Sequence, residues 1–170
     1  MICIVDNNNI IVNIVNTNDM AADNRRKYYD WNRIGQIYTD IKPLEYARQE
    51  KLNEVNAWTA SKITSGFVSN AGGETVTYDS DKDTQLTMQG IALNVDTERF
   101  SQLYPAGCPV RGVKAGNTIK TIQYLTSAQV LQWCADLSIH IGMCKQNGWQ
   151  KQEEVNAATT VEELDAITLD

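Results

Sequence analysis

Asp136, His140 and Cys144 recur every four residues, so on a helix they stack along one face. Their types are those of a thiol nucleophile, a base and a carboxylate that orients the base. In a row along one straight helix, however, no oxyanion donors converge on the sulfur. The preferred reading is a polar seam containing an Asp–His pair. His140 is the only histidine of the chain. With Cys144 it offers two metal ligands at i and i+4, and no CxxC or second histidine completes a tetrahedral set. The expectation is therefore a non-enzymatic protein without catalytic, cofactor-binding or metal-binding residues.

Asp79-Ser80-Asp81-Lys82-Asp83 opens like a calcium loop, with carboxylates at the first, third and fifth positions. The sixth position is Thr84, where the sharp turn demands Gly, and the twelfth is Gly90, where Glu would supply two oxygens. Acids gathered at a helix N-terminus, favoured by its dipole, explain the cluster more simply. Gly72-Gly73 is followed by a strand-like stretch and not by the Gly-Lys-Ser/Thr entry of a phosphate loop. Glu153-Glu154 and Glu162-Glu163 are sequence neighbours, which point about 100° apart on a helix and form no two-carboxylate site. Trp58, Trp133 and Trp149 lie on or beside expected helices. A sugar platform is their functional reading, but core or interface anchoring is preferred, because aromatic side chains supply so much buried area.

The elements that carry these residues read as α+β: an N-terminal β-hairpin and connector over 1–42, then a mainly helical domain with short hairpins over 43–170. Apolar runs at 2–5 and 10–16 flank Asp6-Asn7-Asn8-Asn9, a turn signal, with Ile10, Val12 and Ile14 on one face. Arg25-Arg26-Lys27 is read as a solvated turn. Pro43 opens a helix to about Ser65, closed by Gly66. Phe67-Val68 and Thr75-Val76-Thr77-Tyr78 form a hairpin around Ala71-Gly72-Gly73. The acids from Asp79 to Asp83 cap a helix through about Asn94 that carries Leu86, Ile91 and Leu93, with Val95 beyond. Residues 104–118 read as a loop, with a short hairpin of 110–113 and 118–124 around Gly116-Asn117. Thr126 with Gln129 is a capping box for a helix bearing Val130, Cys134, Leu137 and Ile141. That helix is expected to break near Asn147-Gly148 and resume through Val155. Thr160 with Glu163 starts a last helical turn.

Composition sets limits. With 170 residues, 42% hydrophobic and 21% charged, the chain resembles an ordinary globule with a real core. A formal net charge of -6 argues against nucleic acid as a partner. No run approaches the roughly 18 apolar residues of a membrane span, and no signal peptide is visible in Met1-Ile2-Cys3-Ile4-Val5-Asp6. Cys134 and Cys144 lie about 15 Å apart along one helix, too far for a disulfide, which tolerates about 7 Å between Cα atoms. Reduced thiols are expected throughout.

Gly66-Phe67, Tyr78-Asp79-Ser80-Asp81, Leu125-Thr126-Ser127-Ala128-Gln129-Val130-Leu131 and the closing Ala157-Ala158-Thr159-Thr160-Val161-Glu162-Glu163-Leu164-Asp165-Ala166-Ile167 follow one another in an order that resembles a domain of unknown function found at the C-terminus of phage and prophage tail proteins. The similar segments run from about Leu44 to Ile167. Ile14-Val15-Asn16 and Ile34-Gly35-Gln36-Ile37-Tyr38 resemble the N-terminal segment of tail-fibre and fibre-assembly proteins, where a strand pair leads into a Trp/Tyr connector. The resemblance implies a component of the virion tail, made in the host cytoplasm, whose partners are other tail or fibre proteins. It implies a connector or fibre-organising module and favours a trimer. A tail-fibre assembly protein, a glycan-binding receptor module and a small cell-wall enzyme are the alternatives. Leu44, Leu52, Val55 and Ile63, with Ala47 and Trp58 beside them, form the stripe on which self-association is expected. Arg48 and Lys51 interrupt any heptad, so a short helical contact is expected and not a long coiled coil.

Overall fold

In a computed structural model, which describes residues 1–16, 20 and 25–170, the chain is α+β. Contacts group it into two units, one of Met1–Asn53 with Glu154–Thr168 and Asp170, the other of Glu54–Glu153 with Leu169.

The first unit begins with the expected hairpin. Strands β1 (Ile2–Val5) and β2 (Ile11–Val15) pair antiparallel across a turn in which Asn9 takes a φ of 61° and Asp6 Oδ1 accepts from the Asn8 and Ile10 amides, both at 2.9 Å. Its buried face differs from the expected one. Val5 pairs with Ile11 but Ile4 pairs with Asn13, so Val12 is the extra residue of a bulge. The bulge turns Val12 out, 51% exposed, and puts Ile11 into a small core with Cys3 and Val5. Arg25-Arg26-Lys27 is not a turn. It forms strand β3 (Arg25–Lys27), pairing with the other edge of β1 in the order β2-β1-β3. Backbone groups of β1 need a second ladder, and three residues of any chemistry can supply it. The connector that follows is held by Asn32, 2% exposed. Its Oδ1 accepts from the Tyr29 amide at 2.9 Å and the Cys3 thiol at 3.7 Å, and its Nδ2 donates to Thr39 O at 3.0 Å.

Helix α1 (Leu44–Thr64) starts after Pro43 as expected and ends at Gly66, whose φ is 106°. A Cβ there would stand 2.9 Å from Tyr78 O, so only glycine both turns and fits.

In the second unit, strands β4 (Phe67–Ser69), β5 (Val76–Tyr78), β6 (Cys108–Lys114) and β7 (Lys120–Leu125) make one antiparallel sheet in that order. The segment expected as a loop therefore becomes strand from Cys108 onward; β6 is longer than the 110–113 strand expected there, and β7 starts two positions later and ends one later than the expected 118–124. Helix α2 (Lys82–Asn94) is capped by Asp81. Its buried side is Met88, with Ile91 packed beside it and Val95 just beyond, while Leu86 and Leu93 are exposed, contrary to the expected stripe. A short helix α3 (Glu98–Leu103), capped by Thr97, lies where the sequence pattern predicts no element.

Helix α4 (Ser127–Ala157) runs unbroken for 31 residues. The reciprocal Thr126–Gln129 bonds open it, at 2.9 and 3.4 Å. The expected break at Asn147-Gly148 is absent because Gly148 serves close packing: a Cβ there would collide with the Thr59 side chain of α1. Asn56 and Gln152 bond farther along the same contact, at 2.7 Å, so α1 and α4 lie antiparallel. One face of the sheet meets α2 and α4 around Phe67, Val76, Tyr78, Met88, Val110, Leu125, Val130, Trp133 and Leu137. The last helix, α5 (Val161–Asp165), begins at Thr160, which accepts from the Glu163 amide at 3.1 Å.

Candidate functional site

Helix α4 stacks Asp136, His140 and Cys144, the residue types able to do thiol chemistry, on one side. The wiring of this row is internal. Asp136 Oδ2 accepts from the buried Ser69 hydroxyl at 2.5 Å, and Oδ1 accepts from Gln132 Nε2 at 2.6 Å. His140 instead faces the end of α1, where its Nε2 lies 3.1 Å from Lys62 O. A carbonyl only accepts, so in that contact Nε2 is the donor. Cys144 Sγ stands 3.7 Å from Nε2 and 4.0 Å from Nδ1. The expected Asp–His pair is thus replaced by two separate ties, Asp136 to β4 and His140 to α1.

The thiol is not primed. Burial pushes the Cys144 thiol up from its ordinary value, and the nearby Lys62 charge offsets this only in part. A protonated thiol is a poor nucleophile. Amides in the middle of α4 are consumed by the helix itself, so they cannot stabilise an oxyanion. Beside the row lies a shallow groove of about 410 Å³ whose walls include Phe67, Val68, Ile139 and Met143. The arrangement joins a strand, a helix end and a long helix.

Residues 46–168 match the family described as a domain of unknown function, DUF4376. The chain belongs to this family. No curated protein and no solved structure matches it.

Within the DUF4376 domain the acidic loop is also spent on structure. Asp81 Oδ1 accepts from the Asp83 and Thr84 amides, both at 3.0 Å, and its Oδ2 accepts from the Thr84 hydroxyl at 2.7 Å. These bonds, the Thr84 hydroxyl foremost, hold the Asp81 carboxyl below the usual carboxylate range. Asp79 accepts from Lys120 Nζ at 2.6 and 2.8 Å. Ser80 is fully buried, donating to Ile63 O at 2.6 Å and accepting from the Gly66 amide at 2.8 Å. No group of three or more His, Cys, Asp or Glu among the described residues is arranged to hold a metal ion. All four cysteines are free thiols.

The tryptophans of the DUF4376 domain do not share a platform. Trp133 is core, 5% exposed and edge-on to Tyr78 at 5.5 Å; Trp58 is half-buried beneath Lys62; only Trp149 is exposed. The stripe of α1 divides likewise. Ala47 and Val55 are buried within the chain, and Leu44, Leu52, Trp58 and Ile63 are half-buried. Sequence reasoning missed Ser69 and Ser80. Their partners are distant in the chain, Ser69 and Asp136 being 67 positions apart, so neither carries a local signal.

Proposed function

We propose that the protein is a non-enzymatic structural component of a phage or prophage tail, a connector or fibre-organising module whose partners are other tail or fibre proteins and further copies of itself. The identification with a tail rests on the sequence resemblance over both the N-terminal segment and the domain. The observation that carries the non-enzymatic reading is the internal wiring of the α4 row: each carboxylate oxygen of Asp136 has a donor other than His140.

Self-association as a trimer belongs to this reading. Val55 is fully buried in its own chain, so a second copy meets exposed residues instead. The register puts Val68, Thr77, Val113, Ile122 and Tyr124 on the face of the sheet opposite the core. Val68, Ile122 and Tyr124 are 57–60% exposed, and β7 is an edge strand. Open, apolar edges of this kind are surfaces that proteins cover by pairing.

Mass spectrometry of purified induced particles tests the function. A fixed small copy number per particle is expected. Absence from particles, with fibres failing to mature in a deletion strain, would replace this reading with an assembly factor. Sedimentation equilibrium tests the association: a trimer is expected, weakened in an Ile122→Asp, Tyr124→Asp variant that stays folded. A monomer at tens of micromolar would sink it.

A further inference from the structure

A second pocket, of about 400 Å³, opens in the first unit where the connector meets the first turns of α1. Two of its walls are Trp31 and Tyr46, edge to face with ring centroids 5.9 Å apart. The indole is fixed from behind. It stacks on Tyr29 at 4.7 Å with 9° between the planes, and its Nε1 donates to Thr39 O at 3.2 Å. The half-buried ring therefore offers its remaining surface in a set orientation.

Arg33, Gln36, Glu45 and Gln49 stand around these walls, all exposed. Arg33 is tethered through Nη1 to the carbonyls of Asp30 and Asn32. Glu45 Oε2 accepts from Arg48 Nη1 at 2.6 Å, which leaves Oε1 to accept from a ligand. Gln49 Nε2 donates to Asn53 Oδ1 at 3.2 Å, which leaves its carbonyl oxygen. Among the described residues the Gln36 amide makes no side-chain hydrogen bond, so it brings both donors and an acceptor.

The ligand that suits this set has a flat apolar face and a rim of groups that both donate and accept. Aromatic walls take the first, and the two amides with one carboxylate take the second. Charge argues for a neutral molecule: Arg33 and Arg48 stand against Glu45, with no cluster of cations to hold a phosphate. A wholly apolar ligand would strip water from four polar side chains and return nothing. We propose that this pocket binds a neutral pyranose, with Trp31 and Tyr46 as stacking surfaces and Gln36, Glu45 and Gln49 holding its hydroxyls. The site stands on this geometry and is independent of the tail reading.

Indole N–H signals in a nitrogen–proton correlation spectrum report the tryptophans separately. The full chain would be titrated with maltotetraose, cellotetraose and chitotetraose. Saturable movement of the Trp31 signal is expected with at least one sugar, at a dissociation constant of about 0.1–10 mM, with Trp149 unmoved. The surface variant Gln36→Ala, Gln49→Ala should weaken that binding about tenfold or more with the spectrum otherwise preserved. Trp31→Phe, which keeps a stacking face and is followed through the backbone amide signals around the pocket, should weaken it less than the double variant. No saturable movement of Trp31 with any of the three sugars at about 20 mM overturns the proposal. So does movement centred on Trp149, or a Trp31 response to decaproline and to no sugar, which would make the pocket a peptide site.

Discussion

The α4 row and the Trp31 pocket contain similar residue types and use them oppositely. Around α4, Asp136 accepts from Gln132 of the same helix and from Ser69 of β4, and His140 contacts the Lys62 carbonyl at the end of α1. In the pocket, Gln36, Glu45 and Gln49 stand exposed with bonding capacity left over, around aromatic rings held in place by other residues. The lesson is that a list of polar side chains does not identify a site. What distinguishes recognition from architecture is whether the groups are already satisfied, because a satisfied buried polar group stabilises a fold and an unsatisfied exposed one is available to a ligand.

The largest effect that would break this comparison lies beneath the pocket. Asn32 is a buried polar residue of the connector, and its amide joins Cys3, Tyr29 and Thr39. Asn32→Ala empties a buried site, leaves the Tyr29 amide and the Cys3 thiol without their acceptor and leaves Thr39 O with the Trp31 indole alone, and should cost about 2–4 kcal/mol. Calorimetry should record the loss, and the Trp31 indole signal should lose its dispersed position. A variant as stable as the parent would mean that the connector is not held from within.

Next in size is the contact of α1 with α4. Gly148→Ala would ordinarily gain about 1 kcal/mol of helix propensity. Here the added methyl meets Thr59, so the substitution should instead cost about 1–3 kcal/mol in denaturant melts. Thr59→Ala removes the two nearest atoms, and the double variant should recover at least half of the loss. Independent, additive costs would show that Gly148 is not a packing residue and that the continuous helix needs another cause.

The paired substitutions Ser69→Ala and Gln36→Ala test the contrast directly. The first leaves one oxygen of Asp136 without its donor and should cost about 1–2 kcal/mol. The second removes an exposed amide and should change stability by less than about 0.5 kcal/mol. Equal effects would erase the distinction between the spent and the unspent clusters.

Much of this was legible in the sequence where signals are local. Pro43 and Gly66 bracket α1, the Thr126–Gln129 and Thr160–Glu163 spacings mark two helix starts, and Asn9 and Gly116 take the left-handed backbone that their turns require. What could not be read depends on partners distant in the chain. A basic triplet becomes β3 because β1 offers an edge, Gly148 continues a helix because Thr59 approaches it, and Val12 leaves the core because a bulge shifts the register. The candidate sites divide in the same way. The Asp136, His140 and Cys144 spacing was visible, but its wiring through Ser69 and Lys62 was not. Trp31 and Tyr46 are 15 positions apart and meet only because Asn32 and Thr39 fold the connector back.

The smallest effect concerns pH and the acidic loop. Asp81 caps α2, and its bonds to Thr84 and to the Asp83 amide favour the ionised carboxylate. Its folded-state pKa is therefore below its unfolded value. The stability it contributes is fully present above the unfolded value and lost as pH falls through the folded one, because the unfolded chain takes up the proton first. Asp81→Ala should accordingly melt earlier than the parent near neutrality, and the two melting curves should converge as pH falls below the ordinary carboxylate range. Calcium in the millimolar range should leave both curves where they are, since the carboxylate is already engaged as a cap and Asp79 is paired with Lys120. A calcium-dependent rise in the parent's melting temperature that vanishes in Asp81→Ala would turn this loop from a cap into a binding site, and would move it to the unspent side of the comparison.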